Sequence, residues 1–305
     1  MSPSNTKTKS TWAPLLALTA LAVGLSYAMM QWIADDEAQN VDQLVDSYER
    51  IVSLTPAITS TFVSLGASDK LVGISDYCAD GPQVNHAKRV GSGLTPNYEG
   101  IVKLRPDLIV LETTKQGDYK KLEAIAQTRV LPWLTLDEVA AGIRTLGDLG
   151  EKPEKANVLS SKLSNVLGER ENENGPRVLL LMGLSSFDGG SLWFIKRNSL
   201  HGAGLQAAGA RNAVDRDVSG APSMSMEELL KVDPDIIINL VSQPTLTDSD
   251  REIYLKRMSE FGVLKAVQSK KVGFLVGKQY LGTGPEVLDF VTALKLELER
   301  LMGDT

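Results

Sequence analysis

The chain has 305 residues, and at roughly 150 residues per domain this length predicts two domains or one large domain. Apolar residues make up 43% of the chain and charged residues 23%. These values are close to the averages of soluble globular proteins, so they exclude a wholly disordered chain and a protein of many membrane spans. The net charge of -6 leaves no basic excess for phosphate binding, and we expect no nucleic-acid partner.

One apolar segment near the N-terminus, residues 12–34, contains no charged residue and is long enough to cross a bilayer. Lys7 and Lys9 precede it and three acidic residues follow it, an order that keeps the N-terminus in the cytoplasm and exports the rest. A cleaved signal peptide is the alternative, because Ser26 and Ala28 are small residues at the alternate spacing that cleavage requires. We therefore expect a periplasmic protein, anchored to the inner membrane if the segment is not cleaved.

The exported part alternates between two kinds of pattern. Short apolar runs bounded by glycine or proline predict buried strands at 51–54, 71–74, 108–111, 129–133, 177–182, 236–240 and 272–276. Helical spacing predicts helices at 57–66, 97–104, 137–149, 154–171, 199–208 and 285–301. Strands that alternate with helices are typical of parallel sheets with crossover helices.

The helix predicted after Pro153 separates two such series of strands and helices. The sequence therefore predicts an α/β fold with two Rossmann-like lobes joined by one long rigid helix, preceded by an N-terminal transmembrane or signal helix. The predicted segments are the signal anchor or signal peptide 1–34, an acidic spacer 35–49, an N-terminal lobe 50–150, the connecting helix 151–175 and a C-terminal lobe 176–305.

A short motif occurs once in each predicted lobe. Glu99 stands seven residues before Pro106, and Glu227 stands seven residues before Pro234. In both places a Pro-Asp pair then introduces a buried strand. A glutamate in the first turn of any helix is favoured by the helix dipole, so the pattern alone leaves capping and a functional role open.

Several segments, in this order, resemble one protein family: 50–57, 65–67, 71–77, 97–107 and 199–212. They are similar to the helical-backbone substrate-binding proteins of ABC importers, which serve vitamin B12, iron-siderophores and haem. The resemblance covers about residues 50–303. It implies two lobes bridged by one rigid helix, with a metal chelate or corrinoid held in the cleft between them.

The resemblance also implies roles for individual residues. One surface glutamate per lobe docks into arginine pockets of the permease dimer, which works with an ATPase, and Glu99 and Glu227 match these positions. Tyr77 matches a cleft tyrosine of the vitamin B12-binding members. Where those members have two cleft tryptophans, this chain has Gly93 and Ala221.

Other side chains offer further ligand contacts. Tyr98 and Trp193 have aromatic faces that can pack a flat macrocycle, and the Arg197 guanidinium can bind a carboxylate in a bidentate fork. Core packing, or solvated surface for the arginine, is the alternative in each case. The sequence therefore does not decide whether the ligand is an iron-siderophore, vitamin B12 or haem.

The sequence gives no catalytic or metal-binding pattern. Its two histidines, His86 and His201, and its single cysteine, Cys78, form neither a metal-ligand spacing nor a triad motif. We expect no enzyme activity, catalytic residue, metal site or cofactor. The predicted function is the substrate-binding component of an ABC importer; the alternative is a membrane-tethered sensor or accessory domain that uses the same binding fold.

Overall fold

A computed structural model describes residues 47–113, 119–168, 174–184, 191–216, 218, 222–260 and 262–303. These residues form two parallel sheets covered by helices, which is the α/β class that the sequence predicts. No helix within these ranges is long and apolar enough to cross a membrane. The predicted anchor, residues 1–34, and all but the last three residues of the spacer lie outside the described residues.

The N-terminal lobe contains a parallel sheet in the strand order β3-β2-β1-β4-β5. Its strands are β1 (Ile51–Ser53), β2 (Leu71–Ile74), β3 (Lys88–Arg89), β4 (Leu108–Glu112) and β5 (Gln127–Leu131). Its helices are α1 (Pro56–Leu65), α2 (Tyr98–Leu104), α3 (Lys120–Glu123) and α4 (Leu136–Leu149). The first four residues of β4 are buried, as expected for a strand covered on both faces.

The C-terminal lobe contains a second parallel sheet in the strand order β11-β10-β6-β8, with β7 and β9 as an antiparallel pair. Its strands are β6 (Arg177–Met182), β7 (Leu192–Trp193), β8 (Arg211–Asn212), β9 (Ser223–Met224), β10 (Ile236–Val241) and β11 (Val272–Val276). Its helices are α6 (Leu200–Ala207), α7 (Met226–Val232), α8 (Asp248–Ser259), α9 (Lys265–Gln268) and α10 (Val287–Gly303).

One helix, α5 (Pro153–Leu167), lies between the two lobes in the chain and packs against α4 on one side and α6 on the other. Pro153 stands in its first turn, where a proline costs no hydrogen bond. Gly147 of α4 lets the helices approach closely, because a Cβ there would lie 2.2 Å from the Ala156 Cβ. A single cluster of buried apolar residues runs through both lobes along these helices.

Three predicted elements differ from the observed ones by two residues or more, and several others differ by one residue at an end. β5 lies two residues earlier than predicted, because Pro132 cannot donate a ladder hydrogen bond and ends the strand. α5 ends at Leu167 rather than at residue 171, with Gly168 as its C-cap. α10 begins two residues later and ends two residues later than predicted. The exact limits of the two lobes stay a prediction.

The two Pro-Asp motifs hold the amino ends of both sheets in the same way. Asp107 accepts the backbone N–H of Arg50 at 3.0 Å, and Asp235 accepts that of Arg177 at 2.9 Å. Each carboxylate therefore joins the strand that follows its Pro-Asp pair to the first strand of its lobe. Neither aspartate serves only as a turn residue.

The two arginines complete this arrangement with their side chains. The Arg50 guanidinium donates to the carbonyl oxygens of Leu104 and Arg105 at the end of α2. The Arg177 guanidinium donates to those of Val232 and Asp233 at the end of α7. Because the last carbonyls of a helix have no partner within it, each guanidinium fixes a helix C-terminus to the amino end of its sheet.

Candidate functional site

The predicted docking glutamates occupy equivalent places in the two lobes. Glu99 and Glu227 are each the second residue of a seven-residue helix, α2 and α7. Their side chains are 81% and 78% exposed, and each pairs with the lysine four residues on, Lys103 at 2.6 Å or Lys231 at 2.7 Å. Such exposed pairs contribute little to stability, so neither glutamate is required for folding.

The direction of the two helices places these glutamates at the carboxyl edges of the sheets. Each helix ends at the amino edge, where its last carbonyls meet Arg50 or Arg177. A helix of seven residues is about 10 Å long, so its first turn lies near the opposite edge. In open α/β sheets this carboxyl edge is where ligands bind.

The predicted ligand contacts of the N-terminal lobe have different surroundings. Tyr77 follows β2 at the carboxyl edge, and 71% of its surface is exposed. Tyr98, at the start of α2, is half-buried against the apolar cluster beneath that helix. The ammonium group of Lys121 lies 5.6 Å from the centre of its ring. Tyr77 thus offers a free aromatic face, whereas the ring of Tyr98 already has protein contacts.

The predicted contacts of the C-terminal lobe also differ from one another. Trp193 in β7 is 44% exposed, while its neighbour Phe194 is fully buried and belongs to the core. The Arg197 guanidinium makes an ion pair with Asp215 at 3.0 Å. Its role as a ligand for a carboxylate therefore requires that this exposed pair open. The described contacts do not bring Tyr77, Tyr98, Trp193 and Arg197 together.

The two lobes meet through side chains that the sequence analysis did not single out. Ser60 of α1 donates a 2.7 Å hydrogen bond to Glu286, which precedes α10. Trp133, which follows β5, donates from Nε1 to the carbonyl oxygen of Thr283 at 2.9 Å. Gly284 lets the chains approach here, because a Cβ there would lie 2.6 Å from Ser60 Oγ. We call this set of contacts the lobe junction.

Two partly buried carboxyl groups lie at the lobe junction. Burial raises the pKa of Glu112, at the end of β4, to about 7, while the Thr55 hydroxyl opposes the rise and the charge of Glu286 adds to it. Burial also raises the pKa of Glu286, against the hydrogen bond from Ser60. The junction therefore raises the pKa of two carboxyl groups, one from each lobe.

Neither carboxyl group could have been identified from local sequence. Glu112 and Glu286 are far apart in the chain, and only the position of Glu112 at the end of a buried strand was a weak signal. The pairs that close the junction are 226 and 150 residues apart. Their proximity follows from the packing of the two lobes.

His201 and Cys78 are both buried in the core of the fold. His201 is 4% exposed, donates from Nε2 to the Tyr280 carbonyl oxygen at 3.0 Å and packs edge-on against Phe290. Burial lowers the pKa of His201 and raises that of the Cys78 thiol. Within the described residues, no group of three His, Cys, Asp or Glu side chains is placed to hold a metal ion.

The sequence of this chain matches a known protein family. A family model described as "Periplasmic binding protein" matches residues 51–278. A vitamin B12-binding protein of Pectobacterium carotovorum subsp. carotovorum (strain PC1) is 26% identical over 195 residues, covering 62% of this chain and 70% of the relative.

Solved structures share the fold. A periplasmic heme-binding protein from Pseudomonas aeruginosa has a TM-score of 0.65 at 23% identity, covering 81% of this chain and 91% of that one. A protein of an ABC-type Fe3+-hydroxamate transport system from Saccharomonospora viridis DSM 43017 has a TM-score of 0.62 at 20% identity, covering 83% of this chain and 93% of that one. At these identities the likeness concerns the fold alone.

The pKa of Glu112 predicts how the Glu112→Gln variant responds to pH. Because the carboxyl group titrates near pH 7 in the folded protein and near 4.5 when unfolded, the folded state holds the extra proton between these values. Raising the pH from 5 to 8 therefore lowers the free energy of unfolding of the wild type. Glu112→Gln lacks this titration, so over the same pH range its free energy of unfolding should fall by at most about 3 kcal/mol less than that of the wild type.

Urea unfolding of both proteins at the two pH values measures the difference. The same substitution at the exposed Glu252 of α8 is the control, and it should keep the pH dependence of the wild type. An identical pH dependence in Glu112→Gln would show that Glu112 is ionised in the folded protein at pH 5.

Proposed function

We propose that this chain, which belongs to the periplasmic binding protein family, is the substrate-binding component of an ABC importer. It captures a metal chelate or corrinoid between its lobes and delivers it to a membrane permease, without catalysing a reaction. The observation that carries this proposal is that the predicted site residues lie at the carboxyl edges of the two sheets. Tyr77 and both exposed glutamates lie at or near the carboxyl edges, and the lobe junction joins the two lobes there.

The ligand class follows from relatives with different cargoes on the same fold. The sequence relative is a vitamin B12-binding protein, and the structural relatives include a heme-binding protein and a component of an Fe3+-hydroxamate transport system. These ligands share a broad, partly apolar surface that an aromatic side chain can cover. We therefore propose Tyr77 as a principal contact, with Trp193, Tyr98 and Arg197 as further contacts.

Location and partners complete the proposal. We propose that the protein works in the periplasm, held at the inner membrane by residues 1–34, and that a permease dimer with its ATPase receives the ligand. A tether raises the concentration of the binding protein near its permease without any new contact.

The ligand proposal predicts the outcome of a thermal-shift screen with cyanocobalamin, a ferric hydroxamate and haemin. One of the three should raise Tm, because a ligand at a hundredfold excess over Kd stabilises the folded state by about 2.7 kcal/mol. Tyr77→Ala should then weaken binding several-fold, as expected from the loss of about 0.5–1.5 kcal/mol of aromatic contact, whereas Tyr77→Phe should keep the affinity.

Val158→Ala is the control, because it truncates a side chain that is 70% exposed on α5. No shift in Tm with any of the three ligands at saturation would contradict the proposed ligand class. Equal affinity in Tyr77→Ala and the wild type would remove Tyr77 from the binding surface.

The anchor proposal predicts that the native protein sediments with membranes and stays there after a carbonate wash. An apolar segment that spans the bilayer is not released by high pH, whereas a protein bound by surface charge is. N-terminal sequencing of the mature protein provides the check. A mature N-terminus at or near Met29 would show that the segment is a cleaved signal peptide.

The docking proposal predicts that the Glu99→Lys, Glu227→Lys double variant fails to support uptake while it still folds and binds ligand. Two carboxylates at equivalent places can engage two arginine clusters related by the two-fold axis of a permease dimer. Losing one partner of such a charge pair costs about 2–5 kcal/mol when it is buried at the interface. In the free protein each new lysine faces Lys103 or Lys231 four residues on, and a like-charge pair of this kind costs about 0.2–0.5 kcal/mol.

Glu154→Lys is the matched control, because Glu154 is an exposed glutamate in the first turn of α5. It should leave uptake unchanged. Normal uptake by the double variant, or a parallel loss of ligand affinity, would contradict a docking role for Glu99 and Glu227.

A further inference from the structure

The C-terminal lobe has a cavity that does not belong to the lobe junction. It encloses about 640 Å³ between α8, α9, β11 and α10, a volume within the usual range of small-molecule sites. Its β11 residues, Val272 and Phe274, are the first and the central residue of the strand. We call this cavity the outer groove, and none of its lining residues takes part in the contacts of the lobe junction.

The floor of the outer groove is apolar. Met258, Val272 and Phe274 line it with buried side chains that belong to the core of the lobe, and Val267 is packed against them. Leu255 of α8 forms one wall and is 40% exposed. An apolar body in the groove would extend the existing core and remove this surface from water.

The rim of the outer groove is cationic. Arg251, Lys270 and Arg300 line it together with one acid, Glu297. Arg300 already makes two 2.9 Å hydrogen bonds to Glu297, so this acid is neutralised locally. Within the described part of the chain neither Arg251 nor Lys270 makes an ion pair, and two positive charges at the rim stay uncompensated.

The position of Arg251 is fixed by an aromatic contact. Its guanidinium lies 5.1 Å from the centre of the Phe274 ring, and that ring packs edge-on against Tyr254. Stacking on a ring leaves the N–H groups at the edge of a guanidinium free to meet an anion. The groove thus combines an apolar floor with a prepositioned anion-binding group.

An extended peptide cannot add to the sheet as a further strand at the outer groove. β11 is an edge strand, and an exposed edge can pair with another strand. Here the Phe274 N–H donates to Glu297 Oε1 at 3.0 Å. A Cβ at Gly273 would lie 2.3 Å from the same oxygen, so the Glu297 carboxylate covers this edge.

We propose that the outer groove binds a small amphipathic anion, an apolar body carrying one carboxylate or phosphate head group. The apolar part lies on Met258, Val272 and Phe274, and Arg251 and Lys270 bind the head group. This site is separate from the proposed ligand cleft and does not rest on the importer function.

Calorimetric titration with dodecanoate below its micelle-forming concentration tests the proposal on the full chain. Dodecanoate should bind at least tenfold more tightly than dodecyltrimethylammonium, which has the same chain and the opposite charge, or inorganic phosphate, which has no apolar body. Arg251→Gln with Lys270→Gln should weaken dodecanoate binding at least tenfold, since hydrogen bonds between two charged groups are stronger than those between neutral ones.

A matched pair of variants on α8 locates the site. Leu255→Glu places a negative charge on the wall of the groove and should abolish binding. Ile253→Glu makes the same change two residues away at a side chain that is 54% exposed and does not line the groove, and it should bind like the wild type. Circular dichroism of both variants checks that they fold.

Three results would overturn the proposal. The first is equal affinity for dodecanoate and dodecyltrimethylammonium. The second is unchanged dodecanoate binding in Leu255→Glu, above all if Tyr77→Ala weakens it, which would place the anion in the cleft. The third is binding to phosphatidylglycerol vesicles without binding to monomeric dodecanoate, which would assign the groove to a membrane surface.

Discussion

An arginine and an aspartate at the amino end of each sheet hold the architecture of both lobes. Arg50 with Asp107, and Arg177 with Asp235, tie the first strand of a lobe to a later strand and to the end of a short helix. Helices of seven residues are marginal alone, so α2 and α7 depend on these tertiary contacts for their position. Because both helices are held at their C-termini, their N-terminal glutamates lie near the carboxyl edges of the sheets.

A shared apolar core joins the two lobes to each other. The core cluster passes from β1 and β4 through α4, α5 and α6 to β6, β10 and α10. Small residues allow the helices to approach: Gly204 of α6, for example, would place a Cβ 2.9 Å from the ring of Phe290. One core and the contacts of the lobe junction hold the two lobes together without a ligand. Holding two surfaces in place in advance lowers the entropic cost of binding between them.

Much of the fold could be predicted from the sequence because its signals are local. The buried strands are short apolar runs, and the Pro-Asp motifs mark where β4 and β10 begin. Elements without such signals could not be predicted: α8 buries only Tyr254 and Met258, and β7 and β9 are two-residue strands separated in the chain by α6 and β8. The lobe junction and the outer groove join residues that are distant in the chain, so periodicity could indicate neither.

The proposed cleft and the outer groove lie along one helix. Glu286, immediately before α10, takes part in the lobe junction, whereas Glu297 and Arg300 in the last turns of α10 line the groove. A helix of 17 residues spans about 25 Å. Any shift of α10 that accompanies binding at one site therefore changes the packing at the other. Thermodynamic linkage requires the effect to be reciprocal: the factor by which an anion in the groove changes affinity in the cleft equals the factor by which the cleft ligand changes affinity for the anion.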